Sequence, residues 1–592
     1  MTRYTAPLAD LRFVLHEVLG VADIYQRLPG CESASQDLID AVLEEGARFA
    51  EQVLAPLNSS GDLEGCRFDA ASQSVTTPRG FKEAFAQYVE GGWIGLTAKE
   101  AFGGQGLPET VGAALKEMVD SANLAWSNYP MLSHGAASAL EFHGEDWQRE
   151  VFLKPLVSGR WTGTMCLTEP HCGTDLGLLK TRAEPQADGS YHVSGTKIFI
   201  TAGEHDLVEN ILHLVLARLP DAPAGVKGIS LFLVPKFKVG KDGAMGERNA
   251  AACGSIEHKM GIHGSVTCVM NFDDAEGWMV GQPNKGLAAM FTMMNTARLA
   301  VGLQGLGLIE RAYQNALAYA RERLQMRSLS GPKFPDKPAD PLIVHPDVRR
   351  MLLTQKAFAE GCRMLALYAY VQEDISQHSS DATERERAEA LVSFLTPIVK
   401  GLLTEAAIEC TYDAQQIFGG HGYIVENGME QFARDARIAT LYEGTTQIQA
   451  NDLLGRKILQ LKGAGFRHFQ AEIDQFLSAQ AGQAALEGFA EPLAEASRLW
   501  SQVTLEIAAN AGKDPEEIGA ASYDYLFLSG YVALAYFWAR ALTAAQAPQL
   551  AQAKRHTARF YYARILPRIH AHVAAIRSGA ASLMEMPDAL FG

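Results

Sequence analysis

Four separated segments of this 592-residue chain carry residue types that could do chemistry. The first, Met165-Cys166-Leu167-Thr168-Glu169-Pro170-His171-Cys172-Gly173-Thr174-Asp175, offers hydroxyls, a glycine that lets backbone approach closely, and free amides. Those are the groups that the polar edge and pyrophosphate of a flavin require. The second, Lys197-Ile198-Phe199-Ile200-Thr201, has strand spacing. Alternation puts Phe199 and Thr201 on one face, where a planar ring system would meet an aromatic side chain and a hydroxyl together. The third, Gln416-Ile417-Phe418-Gly419-Gly420-His421-Gly422-Tyr423, is a glycine-rich break between helical stretches. The fourth leads from Arg434-Asp435-Ala436-Arg437 into Tyr442-Glu443-Gly444-Thr445-Thr446-Gln447-Ile448-Gln449 and sets one carboxylate among Leu441, Tyr442 and Gly444. If buried there, Glu443 would have a raised pKa and be suited to proton abstraction.

The elements that must position these segments follow from periodicity. Residues 34–54 space their apolar side chains as an amphipathic helix does, and the pattern stays helical to about residue 160. Between 161 and 282 it changes to short strands, at 191–193, 197–201, 211–217, 229–234 and 266–272, broken by turn material such as Ala187-Asp188-Gly189. Helical periodicity returns at Gly286. It is interrupted by five prolines between 332 and 346, which cannot sit inside a helix and mark an exposed connection. Ala-rich runs at 478–497 and 532–552 extend the helical pattern toward the end. The expected fold is mainly α with a central β domain. Residues 1–160 form an N-terminal helical domain and 161–282 a β-barrel or sandwich. Residues 283–462 form a four-helix bundle that carries Glu443, and 463–592 an additional helical domain.

Composition narrows the function. The chain has 52 Lys+Arg against 68 Asp+Glu, a net charge of −16, so it has no overall attraction for nucleic acid or an anionic membrane. We expect no targeting signal, because the apolar stretch at 11–21 is interrupted by Arg12, His16 and Glu17. Nor do we expect a transmembrane helix. Eight scattered cysteines without a CxxC pair read as buried thiols in a cytoplasmic protein. Cys166 and Cys172 lack metal-ligand spacing, no HExxH or GxSxG occurs, and no metal is expected. Gly302-x-x-Gly305-x-Gly307 follows no strand, so close helix packing explains it better than a dinucleotide fingerprint.

Taken together and in this order, the four segments closely resemble the acyl-CoA dehydrogenase family over roughly residues 40–460. The Leu-Thr-Glu-Pro-x-x-Gly-Thr-Asp segment and Tyr-Glu-Gly-Thr correspond to its two signatures. Lys259-Met260-Gly261-Ile262-His263-Gly264-Ser265 is a further match, and Tyr319 with Arg323-x-Gln325 resembles the family's Arg-x-Gln-Phe-Gly.

The resemblance implies an FAD enzyme. Met165, Cys166, Leu167, Thr168, Gly173 and Thr174 would wrap the flavin and pyrophosphate, with Thr174 also near the acyl-CoA. Phe199, Ile200 and Thr201 would line the ring. Arg323 and Gln416, Ile417, Phe418, Gly419 and Gly420 would reach the FAD of a neighbouring subunit, and Thr445 and Gln447 would contact FAD as well. Glu443 would be the base, Gly444 would lie beside the thioester, and Arg298 would stand near the substrate. The reaction implied is oxidation of a medium- to long-chain acyl-CoA to a trans-2-enoyl-CoA in fatty acid β-oxidation, in a homodimer, with electrons passed to electron-transfer flavoprotein. An oxidase that uses O2, or a flavin-bearing nucleic-acid-binding protein of the same fold, are the alternatives. The sequence departs from the family at Phe199, where many members carry Trp, and at Met326-Arg327, which replace Phe-Gly. His263 stands where a basic residue is common. Lys554, Arg555, Arg559, Arg564, Arg568 and Arg577 form a basic cluster beyond the family core. It reads as a solvated face or subunit contact, with a membrane or nucleic-acid patch as the sharper alternative.

Overall fold

The structure, a computed structural model, describes residues 2–592. The chain divides into two compact units. One takes in Arg48–Leu107 and Ala122–Ala300; the other takes the chain up to Ala47, Pro108–Ser121 and Val301–Gly592.

The unit containing Ala122–Ala300 is built on a seven-stranded sheet. Its strands run in the order Ala251–Ile256, Thr267–Val280, Tyr191–Thr201, Arg182–Pro185, Asn210–Arg218 and Trp161–Cys166. Ile229–Pro235 pairs with both Thr267–Val280 and Asn210–Arg218 and so closes a ring. Asn210–Arg218 and Ile229–Pro235 are buried almost end to end, which is why they read as continuous apolar runs instead of alternating ones.

Two strand expectations need correction here. Residues 191–193 and 197–201 belong to one strand, Tyr191–Thr201, carried through Gly195 where Thr181 packs too close for a side chain. Trp161–Cys166, also a strand, lies parallel to Asn210–Arg218 and shows no alternation because both its faces are covered. At Gly163 a Cβ would stand 2.3 Å from that of Ala136, on the helix Leu124–His143.

The other unit is helical. Its long members are Pro346–His378 and Ala382–Phe418, the continuation of Gly286–Glu322 past Val301, and Glu516–Ala544. Gly302 and Gly305 are the notches expected of close packing: Cβ atoms there would stand 2.6 Å from Val399 and 2.7 Å from the Leu403 carbonyl oxygen. Ala382–Tyr423 and Glu516–Ala544 are each long and apolar enough to cross a membrane, but 78% and 89% of their apolar windows are buried inside the protein. That apolar surface therefore forms core. The Ala-rich stretch 478–497 is not one helix: Ala464–Ala479 and Ala490–Ala511 are separated by a turn in which Gly482 and Gly488 take left-handed backbone.

The proline-rich connection is ordered around one side chain. Buried Asp340 accepts hydrogen bonds from the amides of Ser328, Lys333 and Phe334 at 2.8–3.2 Å. Its own backbone pairs with Met326 and Gln325.

Candidate active site

Glu443 lies on a tight turn between the helices Met429–Ala439 and Thr446–Asn451. Both Glu443 and Gly444 have left-handed backbone, with φ of +55° and +86°. For a residue with a Cβ this is a conformation that the surroundings must hold in place.

They do so from several sides. The Thr445 hydroxyl caps the following helix by accepting from the Ile448 amide. The Thr446 amide donates to the Thr440 carbonyl at 3.1 Å, and its hydroxyl donates to Glu405 at 2.6 Å. The Tyr442 hydroxyl donates to Gln304. Burial, reinforced by Asp120, Glu443 and Asp435, raises the Tyr442 pKa and keeps it a donor. Buried Lys400 donates to the Gly444 carbonyl at 2.6 Å, and the Gln449 amide reaches the carbonyls of Glu443 and Gly444 at 3.1 and 3.3 Å. Glu443 itself is half-buried, less enclosed than the sequence-based expectation of a buried carboxylate. The Gln447 amide donates to Asn451 and to Ser522 of the helix Glu516–Ala544, at 3.0 and 2.8 Å.

In the β unit the first two segments lie side by side, with the Ile198 amide donating to the Thr168 carbonyl at 2.9 Å. Cys166, Leu167 and Ile200 are buried, so they offer only backbone outward. Burial also pushes the Cys166 thiol up to about 12, which leaves it unreactive. Thr168, Gly173 and Thr174 are wholly or partly exposed, Met165 is half-buried, and Phe199, 60% exposed, is the most exposed position of a half-buried strand.

The strand is irregular at this point. Phe199 has φ +60°, and residues 198 and 199 together face only Val269, a bulge that re-aims the ring. The bulge reverses the facing: Val193 and Lys197 are buried, whereas past it Ile200 is inside and Phe199 and half-buried Thr201 face the other way. The result is an accessible edge with a bare aromatic face, hydroxyls and a glycine-bearing turn. It fits a planar cofactor with a polar rim.

What holds this edge was not singled out from sequence. Glu169 and Lys197 are 3% and 0% exposed and form an ion pair at 2.8 Å. The carboxylate also accepts from the Lys180 amide at 2.7 Å and from the Thr181 amide and hydroxyl at 3.0 and 2.6 Å. Burial alone would raise the pKa of Glu169, but Lys197 and these donors outweigh it and take it down to about 2. Both residues stand in segments read from the sequence, but nothing there marks either charge as buried, since its cost depends on partners that packing brings.

Elsewhere in the helical unit, Phe418 stacks on Tyr319 at 4.0 Å, and Tyr319 contacts His421 at 3.0 Å. Ile417 is buried, whereas Arg323, Gln416, Gly419 and Gly420 are exposed. Arg298, in the other unit, is 5% exposed.

Half of the basic cluster is paired internally. Lys554 is buried against Asp10 and Glu360, Arg568 holds Glu409 through two 2.7 Å bonds, and Arg577 pairs with Glu506. Arg555 donates to the carbonyls of Ala485 and Glu487. Three of the six charges are thus paired with carboxylates, while Arg559 and Arg564 are exposed. All eight cysteines are free thiols, seven of them buried.

Comparison with known proteins shows what the chain as a whole is similar to. Four family models match successive parts of the chain: the acyl-CoA dehydrogenase N-terminal domain over residues 39–160, the middle domain over 164–275, the C-terminal domain over 284–458, and an acetyl-CoA dehydrogenase C-terminal-like domain over 469–587. The 3-methylmercaptopropionyl-CoA dehydrogenase of Ruegeria pomeroyi is 43% identical, over 98% of this chain and 99% of its own. A butyryl-CoA dehydrogenase of Syntrophomonas wolfei is 34% identical over 99% of both. The crystal structure of an acyl-CoA dehydrogenase complexed with FAD from Bacillus anthracis shares the fold. Its TM-score is 0.74, it is 19% identical, and the match covers 96% of this chain and 92% of that one.

Proposed function

We propose, for a chain that belongs to the acyl-CoA dehydrogenase family and whose cofactor is FAD, that it oxidises a short-chain acyl-CoA to the trans-2-enoyl-CoA with Glu443 as the base. The observation that carries this reading is the single carboxylate on the braced left-handed turn of Tyr-Glu-Gly-Thr.

In this reading Glu443 takes the α-proton of the thioester. Backbone amides at the turn stabilise the charge that develops on the thioester oxygen, and the bound acyl-CoA completes the exclusion of water from the half-buried carboxylate. FAD supplies the two-electron acceptor for the hydride that leaves Cβ. Thr168, Gly173 and Thr174 hold its polar rim, Phe199 and Thr201 its ring, and Met165, Cys166, Leu167 and Ile200 contribute backbone. Arg323, Gln416, Phe418, Gly419 and Gly420 serve the FAD of a second subunit in a homodimer, a role supported by the outward exposure of Arg323, Gln416, Gly419 and Gly420. Arg298 and Gly444 lie with the acyl-CoA, and Thr445 acts mainly through its cap.

Chain length is where we depart from the sequence-based expectation of a medium to long acyl group. The two full-length relatives above are named for butyryl and 3-methylmercaptopropionyl thioesters, which points to a short group, thioether included. Electron-transfer flavoprotein is the acceptor in this reading, and the enzyme works in the cytoplasm.

Anaerobic titration with butyryl-, 3-methylmercaptopropionyl-, octanoyl- and palmitoyl-CoA tests the substrate: bleaching should be fastest with the first two. Glu443→Gln should keep FAD and lose bleaching by on the order of 10²–10⁴-fold; near-normal bleaching would remove Glu443 as the base. Hydrogen peroxide released stoichiometrically under air would identify an oxidase instead.

A further inference from the structure

We propose that Lys400 is a positioning residue for proton abstraction: together with Gln449 it grips the two consecutive carbonyls of Glu443 and Gly444 and so fixes the turn that aims the base. This rests on Glu443 being that base.

Lys400 sits in the middle of the helix Ala382–Phe418, one turn after Pro397, and is 0% exposed. An ammonium in such a place is costly unless it is hydrogen-bonded, and a methionine would fill the same space more cheaply. Its 2.6 Å bond to the Gly444 carbonyl puts a cation on the peptide next to the base. The Gln449 amide nitrogen serves both carbonyls. Gly444 makes that reach geometrically possible, because a Cβ there would stand 2.8 Å from the Gln449 nitrogen and 3.2 Å from Ile448.

The remaining braces, Tyr442 on Gln304 and Thr446 on Glu405, anchor the two ends of the turn. Lys400 and Gln449 act on its centre, where the φ values are left-handed at two successive residues. Without that grip the turn can relax toward ordinary backbone, and the carboxylate swings with it. Displacement of a reacting group by about 1 Å is enough to cost about 100-fold in rate.

The step to be read in isolation is the first one. The α C–H bond breaks, its electron pair stays on the thioester as the enolate, and the proton moves to the Glu443 carboxylate. In D2O a deuteron returns to carbon. A 3-thiaacyl-CoA carries sulfur at the β position and has no hydride to give, so with it the exchange is not followed by oxidation.

The holoenzymes of wild type, Lys400→Met, Gln449→Met and Glu443→Gln are compared in D2O. Deuterium uptake into the thia-analogue is followed by mass spectrometry, its Kd by calorimetry, and flavin content and Tm alongside. We expect Lys400→Met to keep flavin, to bind the analogue within about threefold of wild type, and to exchange about 10- to 100-fold more slowly. Gln449→Met should show the same split, which keeps the test open if the lysine variant does not fold. Exchange within twofold of wild type in either folded variant overturns the inference. So does a loss of exchange that merely follows a loss of binding and Tm, because that is the mark of a structural lysine. If Glu443→Gln exchanges at the wild-type rate, the base assignment itself falls, an outcome distinct from both.

Discussion

The Glu169 carboxylate and the Lys197 ammonium lie 2.8 Å apart and almost entirely out of solvent, one on the turn of the Leu-Thr-Glu-Pro segment and the other on the strand Tyr191–Thr201. The pair ties the turn that carries Thr168, Gly173 and Thr174 to the strand that carries Phe199. Removing one charge leaves the other buried without its partner, which costs about 3–5 kcal/mol. Glu169→Gln should lose about that much in urea unfolding and should also release FAD more readily, read as flavin content after gel filtration. Full flavin retention with unchanged stability would contradict the brace.

A second buried cation joins distant parts of the helical unit. Lys554 meets Asp10 and Glu360, and Asp10 and neighbouring Glu117 and Glu310 are also held by Arg363. Lys554→Met should destabilise the chain by less than the ~3–5 kcal/mol of a fully unpaired buried charge, because Asp10 keeps Arg363 and Glu360 keeps Lys356. The loss should persist at high salt, since buried pairs are little screened. A loss that salt abolishes would place the lysine at the surface.

Helix packing gives a steric prediction. Gly305→Ala would improve helix propensity by roughly 1 kcal/mol, yet its new methyl would stand 2.7 Å from the Leu403 carbonyl oxygen, a backbone atom that cannot rotate aside. Overpacking of this kind costs about 1–3 kcal/mol, so the variant should melt below wild type. An unchanged or raised Tm would show that the two helices can separate freely.

Two histidines set an acid limit on the β unit. His205 and His213 bond Thr162 and Thr164 at 3.0 and 2.8 Å, and burial, aided by Lys236, pushes both pKa values down to about 3. Their folded values are below the unfolded value near 6.5, so the unfolded chain binds more protons as the pH falls. Stability is therefore complete above about pH 6.5 and declines toward pH 3, by up to roughly 1.4 kcal/mol per pH unit for each group. The slope of unfolding free energy between pH 7 and 5 should be shallower in His205→Gln/His213→Gln. An identical slope would mean that other groups set the limit.

Much of the site is legible in the amino-acid sequence, because its chemistry is carried by short contiguous segments. Tyr-Glu-Gly-Thr puts the carboxylate, the glycine and the capping hydroxyl on neighbouring residues, and backbone stereochemistry alone makes a turn there and a helix after it. The helical and strand regions announce themselves likewise through their apolar periods. Strands such as Trp161–Cys166, covered on both faces, carry no alternation and so escape that reading.

What the tertiary structure decided is which charges are buried and what they meet. Lys400 reaches Gly444 across 44 residues, Lys197 reaches Glu169 across 28, and Lys554 reaches Asp10 across 544. A lysine in a sequence looks the same whether it ends in water or against a carbonyl, because the cost of its burial depends on partners brought by packing and not by covalent neighbourhood. For the same reason the basic cluster near the end of the chain reads as a surface patch in one dimension, whereas in three Lys554, Arg568 and Arg577 pair with Asp10, Glu360, Glu409 and Glu506. Sequence set the chemistry of the base and the course of its turn; long-range contacts decided how firmly that turn is held.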